Sequence, residues 1–254
     1  YLMTILEATI LGIIQGFTEF LPISSSGHLV LGQAILGIEQ PGNEFEILVH
    51  LGTLASVLVI FFDDIKSLIL SLASKKTQMF IIYILIGTLP AVGIGLGFKD
   101  LIYSLFENVT AVGGALIFTG VVLFGSSFAN RQDKEHSLLT CILIGCAQAM
   151  AIIPGVSRSG MTISAALFLG LSAKEAARFS FLLAIPAIGG AGLLTALDVS
   201  GGFQMPIPVA LAGLTSSFAV GVVALKWLLG WLEQGKFHYF GIYCLVVGLI
   251  TLVV

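Results

Sequence analysis

Two long apolar stretches of this chain are each broken in the middle by a polar segment, and that pattern constrains the fold more than any other. Residues 2–38 are interrupted by Pro22-Ile23-Ser24-Ser25-Ser26-Gly27-His28, and residues 137–171 by Pro154-Gly155-Val156-Ser157-Arg158-Ser159-Gly160. Each half is about 10–20 residues, which suits a helix–loop–helix that enters a bilayer and turns back. Six further apolar stretches cover 47–62, 78–98, 108–128, 178–197, 209–229 and 237–254. Each lies close to the ~20 residues that a crossing needs. The expected fold is an all-α polytopic membrane protein, a single membrane domain over 1–254, with six transmembrane helices and two re-entrant segments.

Composition removes the other classes. Of 254 residues, 57% are hydrophobic and 10% charged, whereas a soluble domain carries about 25% charged residues. A soluble enzyme and a disordered chain are excluded. Eleven Lys+Arg against 14 Asp+Glu give a net charge of −3, so no nucleic-acid partner is expected. The apolar segments are too continuous for a β-barrel. Cys141, Cys146 and Cys244 sit in apolar stretches without metal spacing and read as small core residues. No basic segment leading into a short apolar core and a cleavage site opens the chain, so no signal peptide is expected.

Taking the two broken stretches as re-entrant sorts the charges. Lys66, Lys75, Lys76, Arg131, Lys134, Lys174, Arg178, Lys226 and Lys236 fall on one side, and Lys99 on the other. Glu39, Glu44, Glu46, Glu107 and Asp198 fall on the Lys-poor side. The basic side is then cytoplasmic, with both termini outside.

The two broken stretches also align without gaps. Gln15 pairs with Gln148, Ser24 with Ser157, Gly27 with Gly160 and Gly37 with Gly170, each 133 positions apart. Three crossings separate the copies, so the second is inverted. The repeats cover approximately 1–128 and 133–254, and their breaks are expected to meet near the midplane, where inverted-repeat proteins build their sites.

Each break runs Ser-x-Ser-Gly and then resumes a helix. Successive backbone N–H groups at a helix start, with hydroxyls beside them, form an anion cradle. Ser24, Ser26, Gly27, Ser157, Ser159 and Gly160 supply it; Arg158 adds a fork suited to phosphate oxygens, and Thr162 a further hydroxyl. Gln15 and Glu19 share one helical face. Ionisable groups at membrane depth are functional candidates. Glu19 suits a divalent cation or a general base, and Ser25 or His28 a nucleophile. Plainer readings exist for each. Glu19 and Arg158 could form a structural ion pair, the serines could cap helices, and His28 could be interfacial. His50 and Glu46 read as structural or mouth-lining, Pro90 and Pro186 as kinks, and Lys75-Lys76 and 131–136 as solvated loops.

The segment from Gln15 to His28, reading QGFTEFLPISSSGH, resembles the first signature of the integral-membrane undecaprenyl-pyrophosphate phosphatases of the bacitracin-resistance type. Pro154 to Thr162, reading PGVSRSGMT, resembles the second, and Phe45-Glu-Ile-Leu-Val-His50-Leu-Gly-Thr also looks like the family. The resemblance implies hydrolysis of undecaprenyl pyrophosphate at the outer face of the bacterial inner membrane. That reaction recycles the lipid carrier for peptidoglycan and gives bacitracin resistance. It also implies a divalent cation, Mg²⁺ or Ca²⁺, held at Glu19, with a polyprenyl pyrophosphate and membrane lipids as partners. By motif position the acidic role falls on Glu19, the catalytic serine and histidine on Ser25 and His28, and the phosphate grip on Ser157, Arg158 and Thr162. Where many members carry a first glutamate this chain has Gln15, which cannot act as a base. The competing function is a transporter or flippase for an anionic lipid or phosphate; a homodimer is compatible with either.

Overall fold

The computed structural model describes residues 3–38, 44–98, 108–129, 133–198 and 205–253, together with Ile102 and Leu105. Glu39, Lys99, Glu107 and Arg131 lie outside the described residues, as does the side chain of Asp198. Among the described residues there are only helices: α1 (Ile5–Phe20), α2 (Ser25–Leu36), α3 (Glu44–Ile60), α4 (Phe62–Leu70), α5 (Lys75–Gly97) and α6 (Val109–Gly125) form the first part. A 3₁₀ turn (Ser126–Phe128) follows, then α7 (Leu138–Met150), α8 (Arg158–Phe168), α9 (Ala173–Asp198), α10 (Ile207–Glu233) and α11 (Tyr239–Val253).

The boundaries follow local chemistry. Thr4 and Glu7 close a capping box at the start of α1, which satisfies two orphan N–H groups. Pro22 forces the residue before it out of helical geometry, and Leu21 is extended at φ −60°, ψ 136°. Ser24, Asn108, Ser137 and Ser157 cap α2, α6, α7 and α8 with their side chains.

Among the described residues four helices are long and apolar enough to cross a membrane, spanning 75–97, 109–128, 173–194 and 207–233. A fifth span results if α3 and α4, bent by 67°, are taken together. Leu85, Leu89, Leu96, Val121 and Leu249 are exposed on these helices and α11, an apolar surface that suits lipid contact. The helices cross closely where side chains vanish. A Cβ on Gly120 of α6 would lie 2.8 Å from the Gly241 carbonyl of α11, and one on Gly241 the same distance from the Gly120 carbonyl. Gly12 brings α1 onto Gly213 of α10, and Gly145 brings α7 onto Gly87 of α5.

Both broken stretches fold back to where they start. Met3 before α1 and Ile38 after α2 share one buried cluster with Phe45 and Val209. The Lys134 amide before α7 donates to the Gly170 carbonyl after α8, 3.1 Å away. α3, which carries Phe45 in its first turn, and α4, which carries Asp64, connect these two ends of the molecule. The Asp64 carboxylate takes a 2.6 Å bond from Arg178 Nε, and His136 sits 3.3 Å from Glu175 in the same group. The core between them is built on Phe20, Phe179, Phe181, Leu183, Leu228 and Phe237.

Candidate active site

The turning points of the two hairpins touch. A Cβ on Gly27 would meet the Gly155 Cα at 3.4 Å, and one on Gly160 the Pro22 Cβ at 3.3 Å. Beside this contact opens a cavity of about 620 Å³. Its polar wall is Glu19, Ser25, Ser26, Ser157, Arg158 and Gln148, with Glu46 and His50 from α3. The remainder is mostly apolar, from α5 and α9 above all, including Val92, Leu96, Ile188 and Leu194.

Glu19 is the hub. It ends α1 in a buried position, and both carboxylate oxygens are engaged. Oε1 accepts from Arg158 Nη2 at 3.0 Å. Oε2 accepts from Ser25 Oγ at 2.7 Å and from Gln15 Nε2 at 3.1 Å. His50 Nε2 stands 3.6 Å from the same oxygen. A charge-assisted bond from arginine and a short one from a hydroxyl are the strong classes, and they hold a carboxylate at a depth where an unpaired one would not persist.

Two helix starts face this hub. Ser24 accepts from the Gly27 amide, and Ser157 from the Gly160 amide at 3.1 Å. Ser24 does so with φ +70°, a region costly for a residue with a Cβ. Thr119 of α6 braces the second turn, accepting from the Ser157 amide and donating to the Gly155 carbonyl, both at 3.2 Å. The paired N-termini supply partial positive charge, and Arg158 adds a full one.

Gln15, Glu19, Ser25, Ser26, Ser157 and Arg158 are thus brought together. Ser24, Gly27 and Gly160 shape the two capping turns without lining the cavity, and three further expected residues stand elsewhere. His28 turns away from the cavity wall, with Nδ1 2.8 Å from the Ser24 carbonyl and Nε2 2.8 Å from the Tyr243 hydroxyl on α11. Thr162 stands behind Arg158, donating to the Arg158 carbonyl at 2.8 Å and lying 2.6 Å from the Ser180 hydroxyl. Ser159 is buried beside Ser157. In their place His50 and Glu46 line the cavity. Nothing in the sequence points to Thr119 or Ser180, and the pairing with Gln15 is the one signal for Gln148.

Among the described residues no group of three or more His, Cys, Asp or Glu side chains is placed to hold a metal ion. A closed protein cage does not fit. The donor set does fit a hard cation that arrives on phosphate oxygens, since Mg²⁺ commonly takes only one or two carboxylates from the protein.

The family model described as "Bacitracin resistance protein BacA" matches residues 8–250. The chain belongs to the bacitracin resistance protein BacA family. Its relatives within the BacA family match end to end. The "Undecaprenyl-diphosphatase" of Desulforapulum autotrophicum is 39% identical, covering 99% of this chain and 98% of the relative. Proteins of the same name from Halothermothrix orenii and Korarchaeum cryptofilum are each 42% identical, over 99% and 98% of this chain and 98% and 99% of their own length. The matched region takes in both breaks that contribute to the cavity's polar wall.

Proposed function

We propose that this chain hydrolyses undecaprenyl pyrophosphate to undecaprenyl phosphate and inorganic phosphate, the activity in its relatives' names. The observation that carries the reading is the hub itself: a serine hydroxyl, a carboxylate and a guanidinium from distant parts of the chain, meeting at the polar end of an apolar cavity. The diphosphate is drawn to Arg158 and the two helix starts, while the isoprenoid chain occupies the apolar part. Removal of the pyrophosphate form confers bacitracin resistance.

Glu19 is the base and Ser25 the nucleophile. As the Ser25 oxygen bonds to the terminal phosphorus, its proton passes to Glu19 Oε2 and the anhydride oxygen leaves with the lipid phosphate. Water then cleaves the phosphoserine, releasing phosphate and restoring Ser25. Arg158 and the amides at the starts of α2 and α8 stabilise charge on the phosphoryl oxygens. Glu19 would hold the divalent cation, which neutralises phosphate charge when bound. His28 keeps the Ser24 turn in place through the Ser24 carbonyl.

The membrane arrangement is six crossings with two re-entrant hairpins of opposite direction. The return of each hairpin to its own end and the glycine contacts of matched helices support it. The site opens to the outer face of the bacterial inner membrane, opposite the basic end. A homodimer is compatible with this arrangement.

Phosphate release by the purified chain in detergent, from a polyprenyl pyrophosphate with Mg²⁺ or Ca²⁺, tests the reading. Release is expected from the wild type and is expected to fall by about 10²–10³-fold or more in Glu19→Ala and Arg158→Ala. A well-folded wild type that releases none would instead favour a transporter or flippase.

A further inference from the structure

Gln148 ends the wall of the cavity from α7, and it is 3% exposed. Neither its Nε2 nor its Oε1 has a hydrogen-bond partner, and the Nε of Arg158 is likewise unpartnered. Buried polar groups in native structures are satisfied almost without exception, so one left open calls for an explanation. The duplication supplies the first part of it. Gln15, the counterpart of Gln148, donates to Glu19. The position matching Glu19 in the second stretch, 133 residues on, is Ile152. The second copy has kept the amide and lacks the carboxylate that would occupy it.

The open atoms specify what would satisfy them: an acceptor for Nε2 and an O–H donor for Oε1. An isoprenoid chain offers neither. Hydrated phosphate offers both, through its phosphoryl oxygens and the water bound to them. Arg158 and Ser157, the groups suited to phosphate, line the same cavity.

We propose that Gln148 is a further substrate-binding residue, whose side-chain amide donates to the terminal phosphate of the diphosphate beside Arg158. This rests on the diphosphatase reading. It assigns the two glutamines opposite duties: Gln15 steadies the carboxylate, and Gln148 takes the ligand. It also predicts an unusual split between stability and activity, because an amide without a partner contributes nothing to the ligand-free fold.

The test compares wild type, Gln148→Met and Gln148→Glu as full-length chains in detergent. Three quantities are read: kcat/KM on a polyprenyl pyrophosphate, inhibition by inorganic phosphate, and the thermal midpoint. Gln148→Met is expected to lose about tenfold to a hundredfold in kcat/KM, the usual scale for a hydrogen bond to a charged group. Phosphate inhibition should weaken with it, while the thermal midpoint stays level or rises. Gln148→Glu, of nearly the same shape, should lose more, because it sets a carboxylate against phosphate. A fall of less than tenfold in Gln148→Met overturns the assignment. So does a fall in both variants that is matched by a lower thermal midpoint, which marks a structural residue. An inactive wild type would instead strike the diphosphatase reading.

Discussion

Glu19 and Arg158 stand 139 positions apart in the chain, and 3.0 Å separates Oε1 of one from Nη2 of the other. Each belongs to a different hairpin, and the buried Glu19 carboxylate would not persist unpaired. The pair therefore fastens the two breaks together in the ligand-free state and leaves the guanidinium beside the cavity for an arriving phosphate.

Arg158→Ala is expected to lower turnover by about 10²–10³-fold, the usual loss for one group that stabilises transition-state charge. It also strands a buried carboxylate, so stability should fall by about 3–5 kcal/mol. Adding Glu19→Gln should recover much of that stability and none of the activity. Thermal melts and phosphate release on the single and double variants check both halves.

Gly120→Ala is expected to destabilise by about 1–3 kcal/mol, since its Cβ would press on the Gly241 backbone and the crossing cannot widen cheaply. Gly114→Ala, in the same helix with nothing within 4 Å of its Cβ, should be neutral or stabilising by up to about 1 kcal/mol. Melting the two side by side separates helix propensity from helix approach.

Ser24 caps α2 at positive φ, so its two properties can be parted. Ser24→Gly loses the cap and relieves the backbone, whereas Ser24→Ala loses the cap and keeps the strain. The glycine variant should be the more stable by about 1–2 kcal/mol. The reverse order in a denaturation series would contradict the positive φ.

Chelation with EDTA is expected to stop phosphate release while leaving the thermal midpoint of the ligand-free protein in place. No cluster of three ligating side chains among the described residues awaits a cation, so its loss removes chemistry rather than a structural staple. Activity assays and melts with and without EDTA decide it; a large drop in melting temperature would reveal a resident metal.

Apolar length and Pro-Ser-Gly breaks point to membrane-crossing helices and to a turn inside each broken stretch, because bilayer thickness and backbone satisfaction act on consecutive residues; among the described residues four of the six expected crossings, or five with the bent α3–α4 pair, are long and apolar enough. The same arithmetic missed α4. That stretch, with Asp63, Asp64 and Lys66, lies just beyond the expected crossing over 47–62, yet the chain bends at Phe61 and continues as a short helix that reaches Arg178. Periodicity placed Gln15 beside Glu19 because both lie on one helix. It had no means of aiming His28, whose direction is set by Tyr243 of α11, 215 positions later. His50 was similarly illegible as a neighbour of Glu19, since that approach depends on how α3 packs against α1. Residue type indicated which side chains could do chemistry; which of them meet is decided by helix packing between distant segments.

The cavity's apolar walls come from α5 and α9 and lead to Arg158. A lipid can offer its headgroup there while its tail stays out of water. Encounter is then a search in two dimensions, and turnover should follow the mole fraction of substrate in the surrounding bilayer or micelle rather than its bulk molarity. Diluting substrate with inert amphiphile at fixed total concentration should slow the reaction, although nothing has been removed from the tube.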